Sequence, residues 1–369
     1  MDHMGYFPQN AEGFNGMRHV MLTGGSRSQP LTERELIYQL AHLNSSDEPD
    51  DWFFDTLQIG IRPYSGNSIG ADWNRGTTMS GEGDFYAIPC PNPSTKADWD
   101  EILETLFQPG IFLDAMDKTI ERLKSKLPVR QYKHNVIISM PYPGINQARF
   151  GRLEPNGKIL NFSVLGQNLM RATLDRLEAA EWFVDEAIRR FEAAAYKNIH
   201  LLGFYWVFET VYRGWDVDDH YLLKELHRHV NGKGYKMFWI PFWASYNVHL
   251  LDDYQNYYFD CAWLQPNYMF YKAIKGVREG AEAARARNAG FELEYYFELD
   301  EPIAVGAERH KRFRDYLNGG VDYGYMHGSC AYFIGGGGIQ RLYHNDDPVE
   351  REFYEDIYHF VKGDYQRKG

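Results

Sequence analysis

Eight short apolar runs alternate along the chain with longer segments in which apolar residues return every three or four positions. The runs fall at 17–24, 55–62, 134–142, 199–209, 235–245, 259–270, 291–298 and 323–334. Near-continuous apolar runs suit strands covered on both faces, and the longer spacing suits helices with one buried stripe. The helical patterns cover 32–43, 97–127, 167–195, 216–230, 273–288, 307–317 and 348–361. Thr32 and Glu35 have capping-box spacing at the start of the first, and Pro109-Gly110 interrupts the second. Gly290 and Gly319-Gly320 stand where helix C-terminal stops belong. The connection 247–258 has room for only one or two turns.

Eight strand–helix units predict an α/β fold, a single (β/α)8 TIM barrel over 17–365. Residues 1–16 are read as a short lead-in, whose opening Met1-Asp-His-Met-Gly resembles a tag remnant. The rival fold, a doubly wound open sheet, usually needs a glycine-rich first turn for a dinucleotide. No G-x-G-x-x-G is present, and Gly24-Gly25 is too short to count. The longest loop, 63–95, follows the second strand on the face where barrel active sites lie.

Composition narrows the function classes. Hydrophobic residues make up 44% and charged residues 24% of 369, ordinary for a globular chain with a sizeable core. The aromatic share of 16% exceeds what a core needs and points to aromatic surfaces facing a ligand. A net charge of −12 without a basic stripe argues against nucleic acid as partner. Cys90, Cys261 and Cys330 have no CxxC spacing, so neither a disulfide framework nor a zinc site is expected. No apolar run reaches the ~18 residues of a membrane span.

The fourth run, Leu201-Leu-Gly-Phe-Tyr-Trp-Val-Phe-Glu209, ends in an acid at the C-terminal rim. Alternation puts Tyr205, Val207 and Glu209 on one face and Phe204, Trp206 and Phe208 on the other. In the seventh run, Phe291, Leu293, Tyr295 and Phe297 face the helices, while Glu292, Glu294, Tyr296 and Glu298 point inward. Carboxylates so placed are costly unless paired or hydrogen-bonded. Either they form ion pairs with basic residues such as Arg149, or at least one serves catalysis or substrate binding. Acids on strands four and seven face each other across a barrel mouth, the layout of retaining glycosidase barrels. The usual Asn before the acid/base Glu is Phe208 here.

Longer phrases support a family resemblance. These are Asp55 after Trp52-Phe-Phe, Ile138-Ser-Met-Pro-Tyr-Pro143, Gly203-Phe-Tyr-Trp206 with Glu209, Trp239-Ile-Pro-Phe-Trp243, Gln265-Pro-Asn-Tyr268 and Glu292-Leu-Glu294. Together they make the chain similar to a bacterial family known as domain of unknown function 4855. The resemblance implies a glycoside-hydrolase-like barrel, often secreted, periplasmic or cell-surface, and associated with carbohydrate use. It supplies no substrate and no mechanism.

Rim residues are candidates for sugar binding: Tyr142, Trp243, Tyr246, Gln265, Asn267, Tyr268, Tyr296 and His327. Aromatic faces stack on the apolar side of a pyranose, and amides fix its hydroxyls. Trp215 also lies after a strand end, Trp206 is out of phase with Glu209, and Trp73 beside Asp72 and Arg75 is either a lid or a loop anchor. Asp216, Asp218, Asp219 and His220 look metal-like, yet acids opening a helix are expected from its dipole. Gly335–Gly338 after strand eight reads as a phosphate loop or, more simply, a flexible one. His327 is placed inside strand eight. The expectation is therefore a glycoside hydrolase with carbohydrate as partner, no cofactor and no metal. Glu209 is its acid/base and Glu294 its nucleophile, acting with retention. Glu292 tunes Glu294, and Glu298 is the rival nucleophile. The alternative is a non-catalytic glycan-binding barrel.

Overall fold

A computed structural model describes residues 5–70, 77–79, 85–87, 92–243, 248–296, 303–335 and 337–369. Eight parallel strands close into a barrel: β1 His19–Ser26, β2 Thr56–Arg62, β3 His134–Met140, β4 Ile199–Trp206, β5 Lys236–Trp239, β6 Cys261–Leu264, β7 Gly290–Tyr295 and β8 Cys330–Ile334. Each pairs with its successor, and β8 closes on β1 with His19 beside Cys330. The apolar runs explain this. Val136, Ile137, Ile138 and Met140 are all buried, so β3 is covered on both faces. The TIM-barrel expectation holds, and every strand lies within its expected run or overlaps it.

An outer ring of helices covers the strands: α1 Glu33–Leu40, α2 Lys96–Leu106, α3 Phe112–Leu123, α4 Leu169–Ala194, α5 Asp219–Gly232, α6 Arg278–Arg285, α7 Ile303–Asp322, α8 Gly338–Tyr343 and α9 Pro348–Lys362. The Thr32–Glu35 capping box forms, and the helical pattern broken at Pro109-Gly110 becomes α2 and α3. Between β5 and β6 lie one 3-10 segment and the single turn Tyr254–Tyr257.

Three expectations fail locally. Residues 41–43 leave the helix and pair as a strand with Pro49–Trp52. Gly319-Gly320 does not stop α7 but lies inside it, because other rings occupy the space beside these glycines. A Cβ on Gly320 would lie 2.2 Å from the Phe360 ring, and one on Gly319 2.6 Å from the Tyr325 hydroxyl. Gly290 is the first residue of β7, where a Cβ would lie 2.2 Å from Trp263. Close packing, not chain reversal, requires glycine at these positions.

Below the barrel, the N-terminal segment seals the entrance opposite the cavity. Phe7 N–H donates to Ala289 O at 3.1 Å, Ser329 N–H donates to Phe7 O at 2.8 Å, and Gln9 Nε2 donates to Gly328 O at 2.9 Å. Phe14 packs edge-on against Phe238.

Candidate active site

At the C-terminal mouth of the barrel lies a cavity of about 1350 Å³. Its walls come from the ends of all eight strands and from the loops after β1, β2, β6 and β8. The part of the wall over β4, β6 and β7, called here one lobe, carries Glu209, Gln265, Asn267 and Glu292. The other lies over β1, β2 and β8.

Glu209 follows β4 by three residues on the Tyr205–Val207 face, which lines the cavity. Its strand extension is pinned from behind, since Trp239 Nε1 donates to Phe208 O at 3.0 Å and the Phe208 ring stacks on Tyr142 at 4.4 Å. On β7 the alternation holds. Phe291 stacks on Tyr325 and Tyr295 donates to Glu350, both toward the outer helices, so Glu292 and Glu294 turn inward. Glu292 lines the cavity and is 1% exposed. Glu294 is fully buried just behind the lining.

A short polar array ties these acids together. Asn267, held in the left-handed region at φ 58°, donates from Nδ2 to Gln265 Oε1 at 3.0 Å. The Gln265 amide thereby turns Nε2 toward Glu209 Oε1 at 3.5 Å and also donates to Glu292. Glu294 accepts from the Tyr316 hydroxyl of α7 and from the Asn267 backbone N–H. Among the described residues none of the three carboxylates forms an ion pair, and one oxygen each of Glu292 and Glu294 accepts no hydrogen bond. The Arg149 ion pair is thus not formed; its backbone N–H caps Gln147 instead.

Protonation follows from these surroundings. Burial, then the neighbouring Glu294 charge, pushes the Glu209 carboxyl far above the usual range, with Gln265 opposing. Burial and the charges of Glu294 and Glu209 do the same to Glu292. Glu294 is also raised by burial, but its Tyr316 and Asn267 donors favour the anion and hold it to about 8. Of the three, Glu294 is the first to lose its proton.

Gln265, Asn267 and Tyr296 line the cavity as expected, and Arg309 stacks on the Tyr296 ring at 5.1 Å. Four other candidates do not reach it. Tyr142 is buried and donates to Asp219 Oδ2 at 3.1 Å. Tyr268 is 4% exposed, its hydroxyl spent on Asp315 Oδ2 at 2.9 Å and its ring under Arg312. Trp243 packs on the core beside the cavity lining. His327 lies not in β8 but in the 3-10 turn Tyr325–His327 before it, at the opposite end of the barrel. An aromatic run imitated a strand there. Tyr246, Glu298, Asp72, Trp73, Arg75 and Cys90 lie outside the described residues.

The metal-like acids resolve into structure. Asp218 caps α5, accepting from Tyr221 N–H at 3.0 Å, and Asp219 pairs with Arg176 at 2.6 Å. Among the described residues no cluster of three or more His, Cys, Asp or Glu is arranged to hold a metal ion. Trp206 is fully buried, as its phase implied, whereas Trp215 is 80% exposed. Sequence reading missed Tyr316, Gln58 with its Ser139 partner, and Arg62, and it put Tyr205 on the face of Glu209 without giving it a role. Tyr316 sits on a helix with no local signal. Tyr205 and Gln58 were legible, because they share the inward parity of Glu209 and of the β2 run.

The chain matches the family described as Domain of unknown function (DUF4855) over residues 19–359. It belongs to that family. No curated protein matches it in sequence. Among solved structures it is similar to a mutant tryptophan synthase alpha-subunit from Pyrococcus furiosus, at 9% identity over 94% of this chain and 98% of that one, TM-score 0.36. It is also similar to an endo-1,4-beta-xylanase from Caldicellulosiruptor owensensis, at 9% identity over 90% and 88%, TM-score 0.37. A third is the pneumococcal virulence factor StrH, at 11% identity over 96% and 85%, TM-score 0.37. At such distance none of these likenesses carries an activity across to the family. No described helix is long and apolar enough to cross a membrane.

Proposed function

We propose that this protein is a glycoside hydrolase in which Glu209 is the general acid/base and Glu294 the carboxylate that attacks the anomeric carbon. The observation that carries this reading is the set of three carboxylates from β4 and β7 with no ion pair among the described residues, Glu209 and Glu292 on the wall of a large cavity and Glu294 just behind it. A fold keeps buried, uncompensated acids only at a cost in stability. Their environments also differ in the sense the chemistry needs. Glu209, raised by burial and then by its neighbour's charge, keeps the proton that a leaving oxygen must receive. Glu294, with two donors on its anion, is the one that ionises. Glu292 holds its own proton beside it. Gln265 and Asn267 would fix hydroxyls of the bound ring.

An aryl glycoside with an acidic phenol as leaving group tests the roles, because that bond breaks without protonation. Glu294→Gln should abolish turnover, while Glu209→Gln should spare this first step yet lower turnover of an alkyl glycoside about 10²–10⁴-fold. Full activity in Glu294→Gln would move the nucleophile to Glu292.

The near-complete burial of Glu292 and Glu294 favours one second reading, a glycan-binding barrel without chemistry. Binding of oligosaccharides with no turnover between pH 5 and 9 would select it.

A further inference from the structure

The residues around the carboxylates account for only part of the cavity lining. The lobe over β1 and β2 is floored by backbone, since Gly24, Gly25 and Gly60 present no side chain to it. Two of them could not: a Cβ on Gly24 would lie 2.2 Å from Gly60 O, and one on Gly25 2.3 Å from Gln29 O. The lobe is open by construction of these strands.

Arg62, the last residue of β2, stands on its wall beside Ser26, the last residue of β1. In a chain of net charge −12, it is the only basic side chain among the described lining residues. Its guanidinium has no ion pair or hydrogen bond to any described residue. The acid that shares this lobe, Glu35, is occupied by Thr32 in the capping box. Next to Arg62 the Tyr64 ring is 82% exposed. Deeper in, Gln39 is only 8% exposed, with Nε2 on Thr23 at 3.2 Å and Oε1 without a partner. A cation, an aromatic face and an unsatisfied amide oxygen thus stand around one open volume.

We propose that this lobe is a subsite for an anionic sugar unit, charged by a carboxylate or a sulfate ester, with Arg62 gripping the anion and Tyr64 stacking on the ring. The proposal rests on the reading of the cavity as a glycan site and names the class of glycan. A planar guanidinium fork suits either anion. Position follows as well. β2 and β4 are two strands apart, about 10 Å along the wall, so an anion held at Arg62 lies beyond the ring next to Glu209. It also stays clear of Glu294, the acid of the trio that ionises and would repel it. Arg62 would therefore set which bond of an acidic chain meets Glu209.

The test is calorimetric binding to the full chain at low salt. Glucuronate-bearing oligosaccharides are compared with their carboxyl-reduced forms, and sulfated ones with their desulfated forms. The charged member of at least one pair should bind about 10- to 100-fold tighter. Arg62→Gln should erase that difference by weakening the charged member, and Arg62→Lys should restore part of it. The pair that responds distinguishes carboxylate from sulfate. No charge preference in any pair, or a preference that survives Arg62→Gln, overturns the proposal. Because the readout is binding, acid-selective binding without turnover would overturn the hydrolase reading alone. Turnover of neutral chains indifferent to Arg62 would overturn only this one.

Discussion

Two groups of buried acids sit near the same end of the barrel and are treated in opposite ways. Asp219 meets Arg176 at 2.6 Å, the Tyr142 hydroxyl at 3.1 Å and the Tyr212 N–H at 3.2 Å, so its charge is fully answered. Arg176 in turn donates to Pro143 O at 2.7 Å, tying the loop after β3 to the start of α5. Glu209, Glu292 and Glu294 have amides and one phenol but, among the described residues, no cation. A paired buried acid fixes loops. An unpaired one keeps its proton available and leaves an oxygen for something else to bind. The contrast separates scaffold from candidate chemistry better than burial does, for both groups are buried.

Removing one partner tests the first half of this comparison. Asp219→Ala should strand Arg176 and cost about 3–5 kcal/mol in denaturant unfolding. A double replacement, Arg176→Met with Asp219→Leu, should recover most of it. A loss below about 1 kcal/mol would mean that Asp219 is not the anchor described.

The acid trio should leave a signature of opposite sign. Its folded-state values are raised, so the folded protein holds protons that the unfolded chain, near ~4.3, has lost. Stability from these groups is complete below that value and falls as pH rises, Glu294 contributing up to its titration at about 8. The slope should approach about 1.4 kcal/mol per pH unit for each carboxyl. Glu294→Gln should flatten its share and be more stable than the parent at pH 8. A parent whose unfolding free energy is flat from pH 5 to 8 would contradict unpaired burial.

The smallest effect concerns Tyr316. Its hydroxyl favours the Glu294 anion, so Tyr316→Phe should raise the Glu294 value and move the acidic limb of any rate profile upward by about one pH unit. A merely structural role would lower stability without moving that limb.

Much of this was legible in the chain. Continuous apolar runs announced the strands, and two-residue alternation put Glu292 and Glu294 inside, because parity depends only on the strand itself. What failed depended on distant partners. Tyr142 and Tyr268 stand at strand ends like sugar-stacking rings, but Asp219 and Asp315 claim their hydroxyls from elsewhere in sequence. The aromatic stretch 323–327 has strand-like composition, yet packing of Tyr325 and Phe360 against Gly319-Gly320 prolongs α7 and leaves a tight turn. Arg62 was invisible for another reason. An arginine ending a strand is unremarkable until the acids near it, Glu35 and Glu101, prove to be bonded to other groups.

The seal beneath the barrel bears on how the molecule comes to be made. Gln9 reaches Gly328 across 319 positions of sequence, so the segment around Phe7 and Phe14 is made long before the strand it docks against. Until β8 has been synthesised, Phe7 and Phe14 have nowhere complete to dock and travel as exposed apolar surface. Closing so long a loop adds only modestly to the entropic cost over a shorter one, but it delays the contact until β8 has emerged. In the cell, that interval is when a chaperone would have most to hold.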